Sequence, residues 1–89
     1  MAEFIDPNLV ALNCLLDDWY ASRVLKNKED VSLIQSFDDQ ATVYPKLREL
    51  AQKRLQELDE LHAQSNGELE KRCFISSVHR QYLEKVLRK

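Results

Sequence analysis

Apolar and polar residues along the chain follow a helical pattern in four segments. Within residues 7–25, 28–43, 45–64 and 68–88, apolar residues recur at spacings of three and four, as on one face of an amphipathic helix. The chain has one Gly and two Pro, so tight turns are too few for a many-stranded sheet. We therefore predict an all-α fold, a small antiparallel helical bundle or helical hairpin in a single domain spanning residues 1–89.

The first predicted helix, over 7–25, has a clear start and one apolar face. Asp6 is an N-cap acceptor, and Pro7 suits the first helical position. The apolar face carries Leu9, Leu12, Leu15, Leu16, Trp19 and Tyr20. Trp19 has two interpretations, since it is either the largest residue of the chain's own core or an anchor for a partner chain.

The second predicted helix, over 28–43, lies between a capping signal and a proline. Asn27 offers an N-cap, with Asp30 three residues later in an arrangement that resembles a capping box. The main apolar stripe consists of Leu33, Ile34, Phe37, Ala41 and Tyr44. Pro45 disfavours the α conformation of the preceding residue, so a break belongs near 42–45. The pattern fits both a kink in one long helix and a true loop.

The third predicted helix, over 45–64, has the most regular apolar face of the four. That face carries Leu47, Leu50, Ala51, Leu55, Leu58 and Leu61. Its spacings of three and four continue over about two heptads, as in the seam of a coiled coil. The tripeptide 65–67, Ser-Asn-Gly, then supplies a helix stop and a turn.

The last predicted helix, over 68–88, is apolar on two sides. One stripe carries Phe74, Ile75, Val78, Tyr82 and Val86, and the opposite one carries Leu69, Cys73, Leu83 and Leu87. A helix that packs on one neighbour needs a single stripe. The second stripe indicates either a central helix in a closed bundle or a helix that also contacts another chain, and we favour the second explanation because a short chain has a small core.

These patterns predict a partner interface built from the third and last helices together with one aromatic anchor. Its residues are Leu47, Leu50, Leu58, Leu61, Leu69, Leu83, Leu87 and Trp19. The expected partner is another helical protein chain, in a homo- or hetero-oligomer. The general type resembles the small helical subunits of multi-protein assemblies such as kinetochore, tethering or trafficking complexes.

Charge is unevenly distributed and leaves one alternative function open. The net charge is −2, with seven basic and fourteen acidic residues in 1–70 but six basic and one acidic residue in 71–89. Cations suit the C-terminus of a helix, which explains part of this asymmetry. The alternative is a self-contained monomeric bundle that binds a ligand or nucleic acid through its basic C-terminal helix.

No residue pattern predicts an enzyme. The candidate ligands His62, His79, Cys14 and Cys73 lack the spacing of a metal site, and we expect both cysteines to be buried as small apolar residues. No Gly-rich loop is present to hold a phosphate. The length is similar to that of three-helix chorismate mutases, but the basic residues of the third segment lie mainly on its polar face. We expect no catalytic site, metal, cofactor or small-molecule substrate.

The chain has no signal that directs it to a membrane. Glu3 and Asp6 stand where a secretory signal needs positive charge, and no apolar run approaches the about 18 residues that cross a bilayer. We expect a cytoplasmic or nuclear location with reduced thiols. The last helix is still in phase where the sequence ends, which is compatible with a fragment of a longer chain.

Overall fold

The fold is entirely helical over residues 5–88, the part of the chain that the computed structural model describes. This part contains five helices and no strand. They are α1 (Pro7–Leu25), α2 (Asp30–Val43), α3 (Leu47–Gln64), α4 (Leu69–Arg72) and α5 (Phe74–Leu87). The predicted all-α bundle is therefore confirmed.

Helix α1 has the predicted bounds because local capping determines both of its ends. The Asp6 carboxylate accepts the backbone N–H of Asn8 at 2.9 Å, and Pro7 occupies the first helical position. The side-chain amide and the backbone N–H of Asn8 together lower the pKa of the Asp6 carboxyl. At the other end, Lys26 is left-handed at φ 54°, and its N–H donates to the Ser22 carbonyl at 2.7 Å.

Helix α2 begins later than the capping pattern predicts. The residue at its N-cap is Glu29, without a side-chain hydrogen bond, so the prediction that Asn27 caps this helix is wrong. The buried Ser22 hydroxyl instead donates to the Lys28 carbonyl at 3.0 Å and ties the α1–α2 loop to α1. This bond closes the loop onto the last turn of α1, and the loop stays non-helical through Lys28.

Proline 45 produces a true loop between α2 and α3. Tyr44 is extended at φ −112° and ψ 97°, as expected for a residue before proline. The Lys46 N–H donates to the side-chain oxygen of Asn8 at 3.1 Å, which brings the start of α3 beside the start of α1. Helix α3 ends as predicted, because Asn66 and Gly67 both adopt positive φ and the Gly67 N–H donates to the His62 carbonyl at 2.9 Å.

The single helix predicted over 68–88 is divided in two at Cys73. The backbone of Cys73 is extended, at φ −149° and ψ 94°. Its N–H donates to the Leu69 carbonyl at 2.7 Å and ends α4, and its carbonyl accepts the Ser77 N–H at 3.1 Å and begins α5. The prediction of one continuous helix is therefore wrong. The change of direction allows Leu69 in α4 and Val78 in α5 both to be buried.

Helix α5 lies at the centre of the bundle and packs against the other four helices. The Tyr82 ring lies 4.9 Å from the Trp19 ring and 6.2 Å from the Phe37 ring, measured between centroids. Its hydroxyl donates to the Leu33 carbonyl at 3.0 Å. Tyr82 therefore joins α1, α2 and α5 in one aromatic core.

The described residues include no candidate membrane-spanning helix. Within residues 5–88, no helix combines the length and the apolar composition that a membrane span requires.

Candidate interaction surface

Most of the eight residues predicted to form a partner interface lie inside the chain's own fold. Five are buried: Trp19, Leu47, Leu58, Leu69 and Leu83. Leu50 and Leu87 are partly buried against the core, and Leu61 is 45% exposed. A partner could reach the five buried side chains only if the bundle opened. Of the eight predicted interface residues, only Leu61 and parts of Leu50 and Leu87 thus lie at the surface of the chain.

A different set of apolar side chains is open to solvent. In residues 5–88 the large exposed ones are Ile5, Leu9, Val10, Val24, Leu25, Val31, Val43, Leu61, Phe74 and Ile75. Scattered exposed apolar residues are normal in any protein. Helix α1 carries four of them, Leu9 and Val10 near its start and Val24 and Leu25 at its end.

The outer face of α1 forms a regular stripe, which we call the α1 outer stripe. It consists of Val10, Cys14, Asp17, Ala21 and Val24, at successive spacings of four, three, four and three. Val10 is 45% exposed and Val24 is 56% exposed, while Ala21 is half-buried. Spacings of three and four place side chains in one row along a helix. The sequence contains this signal, but the inner face of α1 has the larger apolar side chains and gives the stronger pattern.

A groove runs beside the first half of the α1 outer stripe. Its volume is about 380 Å³, and it lies between α1 and the C-terminal end of α2. Val10 and Cys14 form part of one wall, and Gln40 and Tyr44 line it from the α2 side. Asp18 lines the same groove and places a carboxylate beside the apolar walls. The groove has room for an apolar side chain from outside.

The solvent-exposed side of α1 carries negative charge at Asp17 and Asp18. Within residues 5–88, neither Asp17 nor Asp18 forms a salt bridge. Arg23, the basic residue within α1, is directed elsewhere, because its guanidinium lies 4.2 Å from the Trp19 ring centroid and 3.1 Å from the Asp30 carboxylate. Both aspartates are exposed and therefore able to meet a cation from another molecule.

His79 lies where α1, α3 and α5 meet. Its ring is 6.5 Å from the Tyr20 ring, and its Nε2 atom is buried without a hydrogen-bond partner in the described chain. Burial lowers the pKa of His79, Arg54 lowers it further, and Asp17 opposes the shift. The imidazole is consequently neutral at neutral pH.

Tyr20 links the α1 outer face to the start of α5. Its ring packs edge-on against the Phe74 ring, with centroids 6.0 Å apart, and Phe74 remains 49% exposed. The apolar surface of α1 thereby continues onto α5.

The two cysteines are exposed, so the prediction that they are buried is wrong. The Cys73 thiol lies 3.1 Å from the Ser76 hydroxyl, and this side chain, followed by the Ser76 and Ile75 amides, lowers the pKa of Cys73. Cys14 lies in the α1 outer stripe. In the part of the chain described, no cluster of His, Cys, Asp and Glu forms a potential metal site.

The basic C-terminal helix uses part of its charge internally. Arg80 pairs with Asp59 at 2.7 Å and with Glu84 at 3.1 Å, and Arg88 pairs with the same two carboxylates at 3.4 and 3.2 Å. Two of the six basic residues in 71–89 therefore belong to an ionic network between α3 and the end of the chain.

Comparison with known proteins adds no relative: no family model, no curated protein and no solved structure matches this chain.

Proposed function

We propose that this chain is a non-enzymatic protein–protein interaction module, a helical subunit that homo- or hetero-oligomerises within a multi-protein assembly. The observation that carries the proposal is the outer half of α1, where Val10, Val24 and Leu25 are between 45% and 66% exposed. The inner face of the same helix already has a complete core. Exposed apolar side chains along one helix face, beside an open groove, are the kind of surface that protein interaction sites use.

The alternative of a monomeric bundle that binds nucleic acid has less support. Arg80 and Arg88 already face Asp59 and Glu84, and these carboxylates offset the positive charge that a phosphate would meet there. Phosphate contacts by several free cations dominate nucleic-acid affinity. A salt-sensitive shift of the chain with DNA or RNA would favour this alternative.

The test measures the size of the particle that contains the chain, first for the purified protein and then in a cell extract. The purified chain is measured by light scattering at two concentrations, and the tagged full chain is sized in an extract of the cells that express it. An oligomer in the purified sample, or a larger species in the extract, is the expected result. A monomer of unchanged size in both settings would refute the interaction function.

A further inference from the structure

We infer that the α1 outer stripe receives a basic amphipathic helix of a different protein, with a Lys or Arg of that helix opposite Asp17. This inference rests on the proposed interaction function and specifies its surface and its partner. Three properties of the stripe and its neighbouring groove together determine the partner's chemistry: their shape, their charge, and the symmetric position of Asp17 within the stripe.

Shape favours a helix as the occupant. From Val10 to Val24 the stripe extends fourteen residues, about 21 Å along the helix axis. Its alternating spacings of three and four match the row of apolar side chains along one face of a second helix. The groove of about 380 Å³ beside Val10 and Cys14 opens along the same edge and can take one large apolar anchor. A partner helix of about four turns would cover the whole stripe.

Charge requires that the occupant be basic. Asp17 lies at the centre of the stripe, and Asp18 lines the groove beside it. Once a partner displaces water, a carboxylate without a counter-charge is costly to cover. Because Arg23 is engaged by Asp30 and the Trp19 ring, the cation has to come from the partner. A Lys or Arg within the partner's apolar row satisfies this requirement.

The same charge disfavours a second copy of this chain as the occupant. Asp17 is the midpoint between Val10 and Val24. Two copies of the stripe that overlap over their full length would therefore place Asp17 against Asp17, in a parallel and in an antiparallel pairing alike. Like charges at the centre of an interface act against the pairing. The stripe thus selects for a different, basic sequence.

The experiment is a selection from a displayed library of amphipathic helices, with the full folded chain as bait. The library helices have an apolar row with spacings of three and four, and the central position of that row is randomised. The baits are the wild type, an Asp17→Lys variant, a Val10→Glu/Val24→Glu variant and a Val31→Glu control. Val31 is an exposed valine of α2, 76% open to solvent, outside the stripe and the groove. Circular dichroism tests whether each bait is folded, and light scattering gives its oligomeric state.

We expect the wild type and the Val31→Glu control to enrich Lys or Arg several-fold at the central position. The Asp17→Lys bait should reverse this preference to Asp or Glu, and the Val10→Glu/Val24→Glu bait should lose the selected helices. The reversal is informative because a purely hydrophobic contact would not depend on the sign of residue 17.

Three results would overturn the inference. The first is that the wild-type bait selects only helices that the Val10→Glu/Val24→Glu bait also selects. The second is that the wild-type and Asp17→Lys baits enrich the same residue at the central position of the library helices. The third is a wild-type dimer that the Val10→Glu/Val24→Glu change dissociates, which would identify a second copy as the occupant. If the complex in cell extract persists when the stripe is changed, the interaction function stands and this surface alone is refuted.

Discussion

Helices α1 and α3 have similar lengths, 19 and 18 residues, but they distribute apolar side chains differently. The apolar face of α3 is buried at Leu47, Ala51, Leu55 and Leu58, and the opposite face is charged and exposed. Helix α1 also buries an apolar face, yet its outer half keeps Val10, Val24 and Leu25 in solvent.

This difference bears on where the proposed partner would bind. Most of the regular leucine row of α3 packs in the chain's own core, and only its end at Leu61 is exposed. A helix whose solvent side is itself apolar has surface left over after folding. The outer side of α1 is therefore more informative than the regularity of the α3 row.

The largest expected effect separates the two faces of α1. Trp19→Ala removes a fully buried ring that stacks against Tyr82 at 4.9 Å, and we expect a loss of about 3–5 kcal/mol in the free energy of unfolding. Val24→Ala, on the outer face, should change it by less than about 0.5 kcal/mol. Urea unfolding followed by circular dichroism measures both. Similar losses in the two variants would contradict the assignment of inner and outer faces.

The second expected effect separates two leucines of the α3 row. Leu58 is 6% exposed and Leu61 is 45% exposed, so Leu58→Ala should cost about 2–4 kcal/mol. Leu61→Ala should cost about half as much or less, because nearly half of its surface stays in water and the cavity left behind is open to solvent. The same urea titration applies. An equal cost at both positions would mean that the row is buried throughout, as it would be in a coiled-coil dimer.

A smaller effect is expected at the hydrogen bond that joins α5 to α2. Tyr82→Phe keeps the ring but removes the hydroxyl that donates to the Leu33 carbonyl at 3.0 Å. We expect a loss of about 1 kcal/mol in the free energy of unfolding. A Tyr44→Phe variant serves as the control, since Tyr44 lies at the loop before Pro45 and is only partly buried. A neutral result at Tyr82 would contradict a net stabilising contribution from this hydrogen bond.

The smallest effect is expected from pH and reports on His79, which lies between α1 and α3. Its folded pKa is below the ordinary value of about 6.5, so the unfolded chain binds the proton more readily. Stability should be full above that value and should fall as the pH drops below it. Urea midpoints measured between neutral pH and about pH 5 should therefore decline more in the wild type than in His79→Gln. Equal declines in the two proteins would exclude His79 as the cause. The Asp6 carboxylate does not interfere, because its pKa is lowered and it affects stability only in more acidic solution.

Local signals made part of the fold predictable. Asp6 and Pro7 mark the start of α1, and Asn66 with Gly67 marks the end of α3, because each residue acts on its own few neighbours. The break at Cys73 has no such signal. It depends on the simultaneous burial of Leu69 and Val78, which are far apart on a single straight helix.

The interaction surface was harder to predict than the helices. Periodicity identifies an apolar row on α3 or α5 but does not say whether the chain's own helices cover it. Leu83 is fully buried because α5 occupies the centre of the bundle, a fact that only the packing of all the helices determines. On α1 the outer row was readable from Val10 and Val24, but the inner row with Trp19 has the larger side chains.

Alkylation of the two thiols in one sample tests most directly whether α1 presents an open docking surface. Cys14 lies in the α1 outer stripe, and Cys73 lies at the start of α5. Mass spectrometry gives the rate at each thiol in the folded chain, alone and with a helix selected for its central Lys or Arg. We predict that both thiols react readily in the free chain and that the bound helix slows Cys14 while leaving Cys73 unchanged. A Cys14 that is already protected in the free chain, or that reacts equally fast with the helix bound, would contradict the account.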